Sequence, residues 1–497
     1  MKKAFLILIL VFSNILLFAG KVEVNDRCKK AYTEIISLKF SNADSLLNVE
    51  RRENPDNLFV DYLQNYIDFL KVFISEDEQL YERLKDNKGS RIDKLEDLSD
   101  NDPYKKYLIG NIRLQWAMAG TKFGDYFSTA MDIRRSFLLM RNNIRKFPDF
   151  RPQYITMGVL HIIIGMVPEK YNWILSLISL EGSVEQGTEE LNEALAACDR
   201  DAEMDYLKPE ILFYIAFTEM NLGLDEDNKE ALMKALKPYA EDNLLLGFLR
   251  ANMLMRSARN DEALQLLSHL NALKGYYPFY YLHYLEGETK IRKLDVRAEE
   301  DYKLFIEKFN GVNYLKDAQR KIAWCYLLSG DTAGYYTNIS KVKEIGDDFV
   351  GVDREAQKEA VSGVIPNITL LKARLLFDGG YYEKARAVLL SSSENSFSQE
   401  ELLEKLYRMG RIAQESGAWE QAAEYYVRTI ETGKGSKRYF AGNAALQLGR
   451  IYETEGDKTM ALKYYKICQD LDFDEYETSI KEKAKQGEMR ILEKNKK

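Results

Sequence analysis

The chain has 497 residues, 46% hydrophobic and 30% charged, with 70 Lys+Arg against 78 Asp+Glu and a formal net charge of −8. It is too long for one ordinary hydrophobic core, and its nine prolines and 29 glycines exclude a collagenous or Pro/Gly-rich chain. The acidic balance argues against a nucleic-acid partner, whose phosphates it would repel, and three histidines leave little for His-based catalysis or a His-rich metal site.

At the N-terminus, Lys2 and Lys3 precede an uncharged apolar run from Ala4 to Ala19. A charged start, a short apolar stretch and a small residue describe a secretory signal peptide over residues 1–20; the run is shorter than the ~20 residues of a spanning helix. Cleavage is expected after Ala19 or Gly20. The first cysteine, Cys28, follows Val-Asn-Asp-Arg instead of the apolar run, so lipid attachment is not expected. Cys198, Cys325 and Cys468 are too scattered for a disulfide framework. Cys325 and Cys468, at helical spacing among apolar residues, read as small core residues. The expected location is the periplasm or cell envelope of a Gram-negative bacterium.

The next elements read as helices. Ala31, Ala43, Leu47 and Pro55 are spaced like the small, small, apolar and terminal-proline positions of a helical hairpin. Arg134, Arg135, Arg141, Arg145, Lys146 and Arg151, with Asp132 and Asp149 among them, read as a solvated helix face, with an anionic-lipid or acidic-protein site as the sharper reading. Ile155–Val167 and Trp173–Leu180 are apolar but too short to span a bilayer, and Pro168-Glu169-Lys170 separates them; a buried helical hairpin is expected, with an interfacial membrane segment as the alternative. Asp-Asn runs such as Ser99–Asp102 and Asp225–Asn228 lack the spacing of a calcium loop. The aromatic run Tyr276 to Tyr281 reads as packing between helices, with an aromatic shelf for glycans or peptides as the alternative. Strand signals are nearly absent, and turn signals such as Asn87-Lys88-Gly89-Ser90 and Lys434-Gly435-Ser436 separate about 20 or more helices.

The C-terminal part repeats itself. Ala373-x2-Leu376-x3-Gly380-x4-Ala385-x3-Leu389, Met409-Gly410-x2-Ala413-x3-Gly417-x4-Ala422-x3-Tyr426 and Leu448-Gly449-x2-Tyr452-x3-Gly456-x4-Ala461-x3-Tyr465 align, with the alanines 37 and 39 residues apart. Each position has a physical purpose. The first small residue and the apolar one three later share a helix face. The glycine permits the positive φ of a helix-ending turn. The following alanine lets the second helix approach the first, and the aromatic fills the gap to the next hairpin. Upstream, Ala251-x2-Leu254-x3-Ala258-x4-Ala263-x3-Leu267 keeps every interval, and Ala323-x2-Tyr326-x3-Gly330 keeps the first half, with Tyr335 in place of the packing alanine. The pattern resembles the tetratricopeptide repeat, with units longer than the ideal ~34 residues. The middle segment from Gly158 to Leu195, an apolar helix, a proline break, a second apolar helix and Gly-rich spacing, resembles the family of tetratricopeptide repeat protein 39 and the fungal inclusion-body-clearance protein. Leu180-Glu181-Gly182-Ser183 departs from that family's form. The resemblance implies an adaptor-like role and carries over no catalytic residues.

The expected fold is therefore an all-α, tetratricopeptide-repeat-like α-solenoid of stacked antiparallel helix hairpins. Its expected divisions are a leader (1–20), a divergent helical-repeat half (21–240) and a repeat half (241–497). In stacked hairpins the first helices line a concave surface. The position after each small residue points inward: Asn252, Trp324, Arg374, Arg411 and Arg450. So does the position six before it: Leu245, Asp317, Asn367, Glu404 and Asn443. Arg374, Arg411 and Arg450 form a ladder of planar forks suited to carboxylates, and Asn367 and Asn443 can bond a peptide backbone. The candidate groove is thus Trp324, Asn367, Arg374, Arg411, Asn443 and Arg450, for a peptide with acidic groups or a free C-terminus. The competing reading is that the arginines pair with acids on adjacent helices. No GxSxG, P-loop, HExxH or dinucleotide fingerprint occurs. The expectation is a non-catalytic protein-interaction scaffold without cofactor or metal. A glycan-binding outer-membrane component and a membrane-surface adaptor are the alternatives.

Overall fold

The computed structural model describes residues 20–167, 180–222 and 226–494. Among the described residues every regular element is helical, apart from one isolated bridge between Lys21 and Asn57. The leader expected over residues 1–20 lies outside the described residues except for Gly20, and so does the apolar stretch from Trp173, except for Leu180. Among the described residues no helix is long and apolar enough to cross a membrane. The chain divides into two compact units, one of residues 1–254, 265–285 and 307–312, the other of residues 255–264, 286–306 and 313–497.

One backbone device recurs in both. Seven residues after a buried small residue the chain turns left-handed: Ala31 to Leu38, Ala117 to Gly124, Ala251 to Ala258, Gly287 to Leu294, Ala323 to Gly330, Ala373 to Gly380, Gly410 to Gly417, and Gly449 to Gly456. The positive φ reverses the chain and starts the second helix of the hairpin. The alanine that follows is fully buried at 43, 263, 298, 385, 422 and 461. It permits the close approach that spacing predicts.

In the second unit the helix pairs are Ile368–Asp378 with Tyr382–Leu390, Gln399–Glu415 with Trp419–Thr432, and Phe440–Glu455 with Lys458–Asp470. Glycines in the first helices make room for tyrosines of the second. A Cβ on Gly410 would lie 2.6 Å from the Tyr426 ring, on Gly449 2.4 Å from Tyr465, and on Gly287 2.8 Å from Tyr302. Tyr302, Tyr426 and Tyr465 are each fully buried. Ser398 and Glu401 close a capping box at the start of Gln399–Glu415. The helix Glu477–Lys494 ends the stack, and Ile480, Ala484 and Ile491 join its core.

The first unit uses fewer such pairs, and several of its buried contacts are polar. Pro103–Lys122 starts at the cap Asp102, with proline in its first turn, and packs on Tyr126–Lys146. Pro152–Gly165 packs on Val184–Arg200 so closely that a Cβ on Gly187 would lie 2.3 Å from the Gly158 carbonyl oxygen. The fully buried Glu50 carboxylate accepts from Asn25, Asn54, Asn57 and Arg27. Asn65 accepts from Trp116 and Arg91 and donates to Gln115. The buried Glu210 accepts from the hydroxyls of Tyr32, Tyr66 and Tyr214.

Arg135, Arg141, Arg145, Lys146 and Arg151 are exposed, and Lys146 donates to the Asp100 carbonyl and to Asn101. In the aromatic run, Tyr277 packs on Phe40 with ring centroids 5.1 Å apart and Tyr276 donates to Asp242. All four cysteines are buried and free, and burial pushes the Cys325 and Cys468 thiols up to about 12.

Candidate functional site

The second unit holds a cavity of about 970 Å³. Its walls come from the helices Leu315–Leu328, Gly351–Ser362, Ile368–Asp378 and Gln399–Glu415 and from the start of Phe440–Glu455. Seven arginines and two lysines face six carboxylates around it, although the whole chain is acidic.

Aromatic rings lie against the guanidinium groups. Arg320 and Arg374 each lie 4.6 Å from the Trp324 ring centroid, Arg411 lies 5.2 Å from Phe377, and Arg438 lies 5.2 Å from Phe440. A guanidinium over an aromatic ring can still offer N–H groups to an anion. Most of these guanidinium groups already hold a carboxylate of the protein itself. Arg320 pairs with Asp317, and Lys321 with Asp317 and Glu288. Arg408 Nε donates to Glu404 at 2.8 Å, Arg411 pairs with Glu415 at 3.1 Å, and Arg438 with Glu475 at 3.1 Å.

Arg374 differs. Among the described residues its half-buried side chain makes no ion pair and no hydrogen bond; its contact is the Trp324 ring. Burial first, then the charges of Arg408 and Arg320, hold its pKa below the ordinary arginine value. It stays protonated, in a field of like charge that an incoming anion would relieve.

The structure brings Trp324, Arg374 and Arg411 of the sequence-derived set into this one cavity. Trp324 is buried and donates its Nε1–H to Glu359 at 2.8 Å. Asn367 is instead the N-cap of Ile368–Asp378, accepting from Thr369 and Leu370 and donating to Glu401 at 3.0 Å. Asn443 donates to the Tyr407 hydroxyl at 2.9 Å and accepts from Gln447. Neither amide lines the cavity, and Arg450 sits outside it on the exposed face of Phe440–Glu455. Arg320, Lys321, Tyr407, Arg408 and Arg438 also line the cavity and lie outside the sequence-derived set. The first four had a legible signal. Asp317, Arg320, Lys321 and Trp324 form one helical stripe, and Glu404, Tyr407, Arg408 and Arg411 form the same stripe in the same repeat register. The sequence-derived groove positions are the two ends of each stripe, Asp317 and Trp324, and Glu404 and Arg411.

With the fold and cavity in view, two family models match. Residues 154–277 match Iml2/Tetratricopeptide repeat protein 39, and residues 406–438 match a tetratricopeptide repeat. No curated protein matches the chain. Among solved structures, the human IFIT1 dimer with PPP-AAAA is 12% identical, covering 91% of this chain and 96% of that one, with a TM-score of 0.35. The human IFIT1 dimer with m7Gppp-AAAA is 13% identical, covering 96% and 97%, with a TM-score of 0.29. The APC/C hetero-tetramer Cut9–Hcn1 is 7% identical, covering 93% and 97%, with a TM-score of 0.27.

The chain is thus a tetratricopeptide-repeat-type protein whose middle segment resembles the Iml2/tetratricopeptide repeat protein 39 family. Repeats of this type bind proteins or peptides, and the architecture is that of an interaction scaffold. The same family match overturns the expected location in the periplasm or cell envelope of a Gram-negative bacterium. The apolar N-terminal run suggested export on its pattern alone, and an apolar start is not specific to export.

Proposed function

We propose that the protein is a non-catalytic scaffold whose second unit captures an acidic segment of a partner protein in the cavity around Trp324, Arg374 and Arg411. The observation that carries this reading is Arg374: a guanidinium without an anion, lying against an indole, in a cavity whose cations outnumber its carboxylates. A preformed, rigid wall of stacked helices spares the ordering cost of binding, and arginine–carboxylate pairing gives direction to the contact.

The test is selection of random dodecapeptides on the full chain, followed by binding of the enriched peptides to an Arg374→Glu variant. Enrichment of carboxylate-bearing peptides, with at least about tenfold weaker binding to a variant of unchanged helical circular dichroism, is the expected result. Enriched peptides that bind the folded variant as well as the original protein would place the binding site elsewhere.

A further inference from the structure

Nine cations around one cavity suggest a site for a run of acidic residues. The pairing pattern argues otherwise. Arg320, Arg408, Arg411 and Arg438 each already hold a carboxylate of the protein. A ligand carrying several charges would have to displace those partners, and an acid displaced inside a half-buried cavity is left without its counter-charge. Arg374 can take an anion without breaking a pair; Arg354, the other cavity arginine without a carboxylate among the described residues, spends its Nη1 on the Asp348 and Phe349 carbonyls. Asp378 and Glu404, whose fields reach it, form no ion pair with it. One planar fork matches one carboxylate through two parallel N–H···O bonds.

The remainder of the lining fits an apolar neighbour. Phe377, Tyr439, Phe440 and Tyr476 face the same cavity as Trp324. Tyr476 is 57% exposed, so its ring is open to an incoming side chain. Tyr439 and Tyr476 stand edge to face with centroids 5.5 Å apart, which fixes the Tyr439 ring as a wall.

Building on the acidic-segment reading above, we infer that the cavity reads a single carboxylate, taken by Arg374, beside one aromatic or large aliphatic side chain, and does not read a polyanion. A chain-terminal carboxylate and an Asp or Glu side chain offer the same chemistry.

Two phage libraries of random dodecapeptides serve as probes, one displayed with free C-termini and one internally. Enriched peptides are then synthesised and titrated calorimetrically against the full chain at about 50 and about 300 mM NaCl. The expected ligands carry one carboxylate next to an aromatic or aliphatic residue. Their Kd should rise less than about fivefold with salt, since one exchanged charge pair is screened weakly at short range. Arg374→Gln should weaken binding at least about tenfold, with Arg374→Lys in between, because it keeps the charge and loses the fork. Arg438→Gln should cost less than about threefold, because its edge belongs to Glu475. Arg374→Lys also guards against a misfolded Arg374→Gln, and circular dichroism checks both. Amidating the terminus sorts the source: binding lost means a chain end, binding kept means a side chain, and either agrees with the inference. Ligands with three or more carboxylates, or equal losses for Arg438→Gln and Arg374→Gln, would overturn the single anchor while leaving an acidic-segment groove standing. No enrichment from either library would overturn both.

Discussion

The two units reach the same hairpin turn by more than one chemistry. In the last three hairpins of the second, Gly380, Gly417 and Gly456 supply the left-handed residue, although Ala258 and Leu294 of the same unit turn without glycine. Fully buried Ala385, Ala422 and Ala461 set the helix spacing, with Tyr426 and Tyr465 filling the gaps. In the first, Leu38 takes the left-handed turn without glycine, while Gly124 supplies it between Pro103–Lys122 and Tyr126–Lys146. There, buried polar groups that must find each other specify the packing: Glu210 with three tyrosines, Asn65 with Arg91, Gln115 and Trp116. The periodic hairpins specify these contacts by size, and the divergent helices specify theirs by hydrogen bonding. The difference is testable, because size-based contacts fail by overpacking and polar ones fail by losing a partner.

The largest effect is expected at Glu210. Glu210→Ala leaves the hydroxyls of Tyr32, Tyr66 and Tyr214 without their acceptor in the core of the first unit. Each buried unpaired hydroxyl costs about 1–3 kcal/mol, so a loss of at least about 3 kcal/mol is expected in chemical denaturation followed by circular dichroism. A loss below about 1 kcal/mol would mean that this cluster does not organise the first unit. The counterpart in the second unit is Gly449→Val, whose Cβ would lie 2.4 Å from the Tyr465 ring. Overpacking of this kind costs about 1–3 kcal/mol. Gly435→Val, where a Cβ meets nothing within 4 Å, is the control and should lose far less.

The same carboxyl gives the comparison a pH axis. Burial is the largest influence on Glu210 and raises its pKa, against the three tyrosine hydroxyls, which lower it. The folded state therefore prefers the protonated form relative to the unfolded chain. The associated stability is fully present below the unfolded carboxyl value of about 4.3 and is lost as pH rises through the higher folded value. Glu210→Gln removes that term. The stability of the original protein relative to the variant should therefore fall as pH rises from about 4 towards neutrality. A difference that is flat with pH would show that the carboxyl is no harder to ionise in the fold than in the unfolded chain.

How much of this was legible follows from the same contrast. Gly417, Ala422 and Tyr426 announce their hairpin because each position admits few residue types. Ala31, Ala43 and Leu47 announced theirs only partly, because the left-handed residue between them is Leu38 and carries no turn signal. The hairpin of Gly287, Leu294, Ala298 and Tyr302 was missed altogether. Its turn residue is leucine, and its alanine comes one residue earlier than the repeat requires. At the site, Trp324, Arg374 and Arg411 were legible from their place one residue after the small position. Arg438 was not, because it precedes its helix and has no repeat register. Asn367 was legible as a polar residue at a groove position. That it caps its own helix depends on backbone angles that spacing does not reveal.

The smallest effects test the turn itself. A left-handed non-glycine residue costs roughly 1–2 kcal/mol relative to its right-handed form. Leu38 and Leu294 bear that cost at φ 64° and 62°, while Gly417 and Gly456 do not. A Cβ at Gly417 or Gly456 would meet nothing within 4 Å, so Gly417→Ala and Gly456→Ala probe backbone strain with no change in packing. Each should lose about 1 kcal/mol. Leu294→Gly should recover up to about 1 kcal/mol from the turn, because this leucine is only partly buried. Leu38→Gly should not, because Leu38 is fully buried and its lost packing, worth about 2 kcal/mol or more, exceeds the strain relieved. Opposite signs at these two leucines would show that the divergent turns keep a non-glycine residue where its side chain has packing to contribute. Stabilisation at both would mean that packing contributes nothing at Leu38.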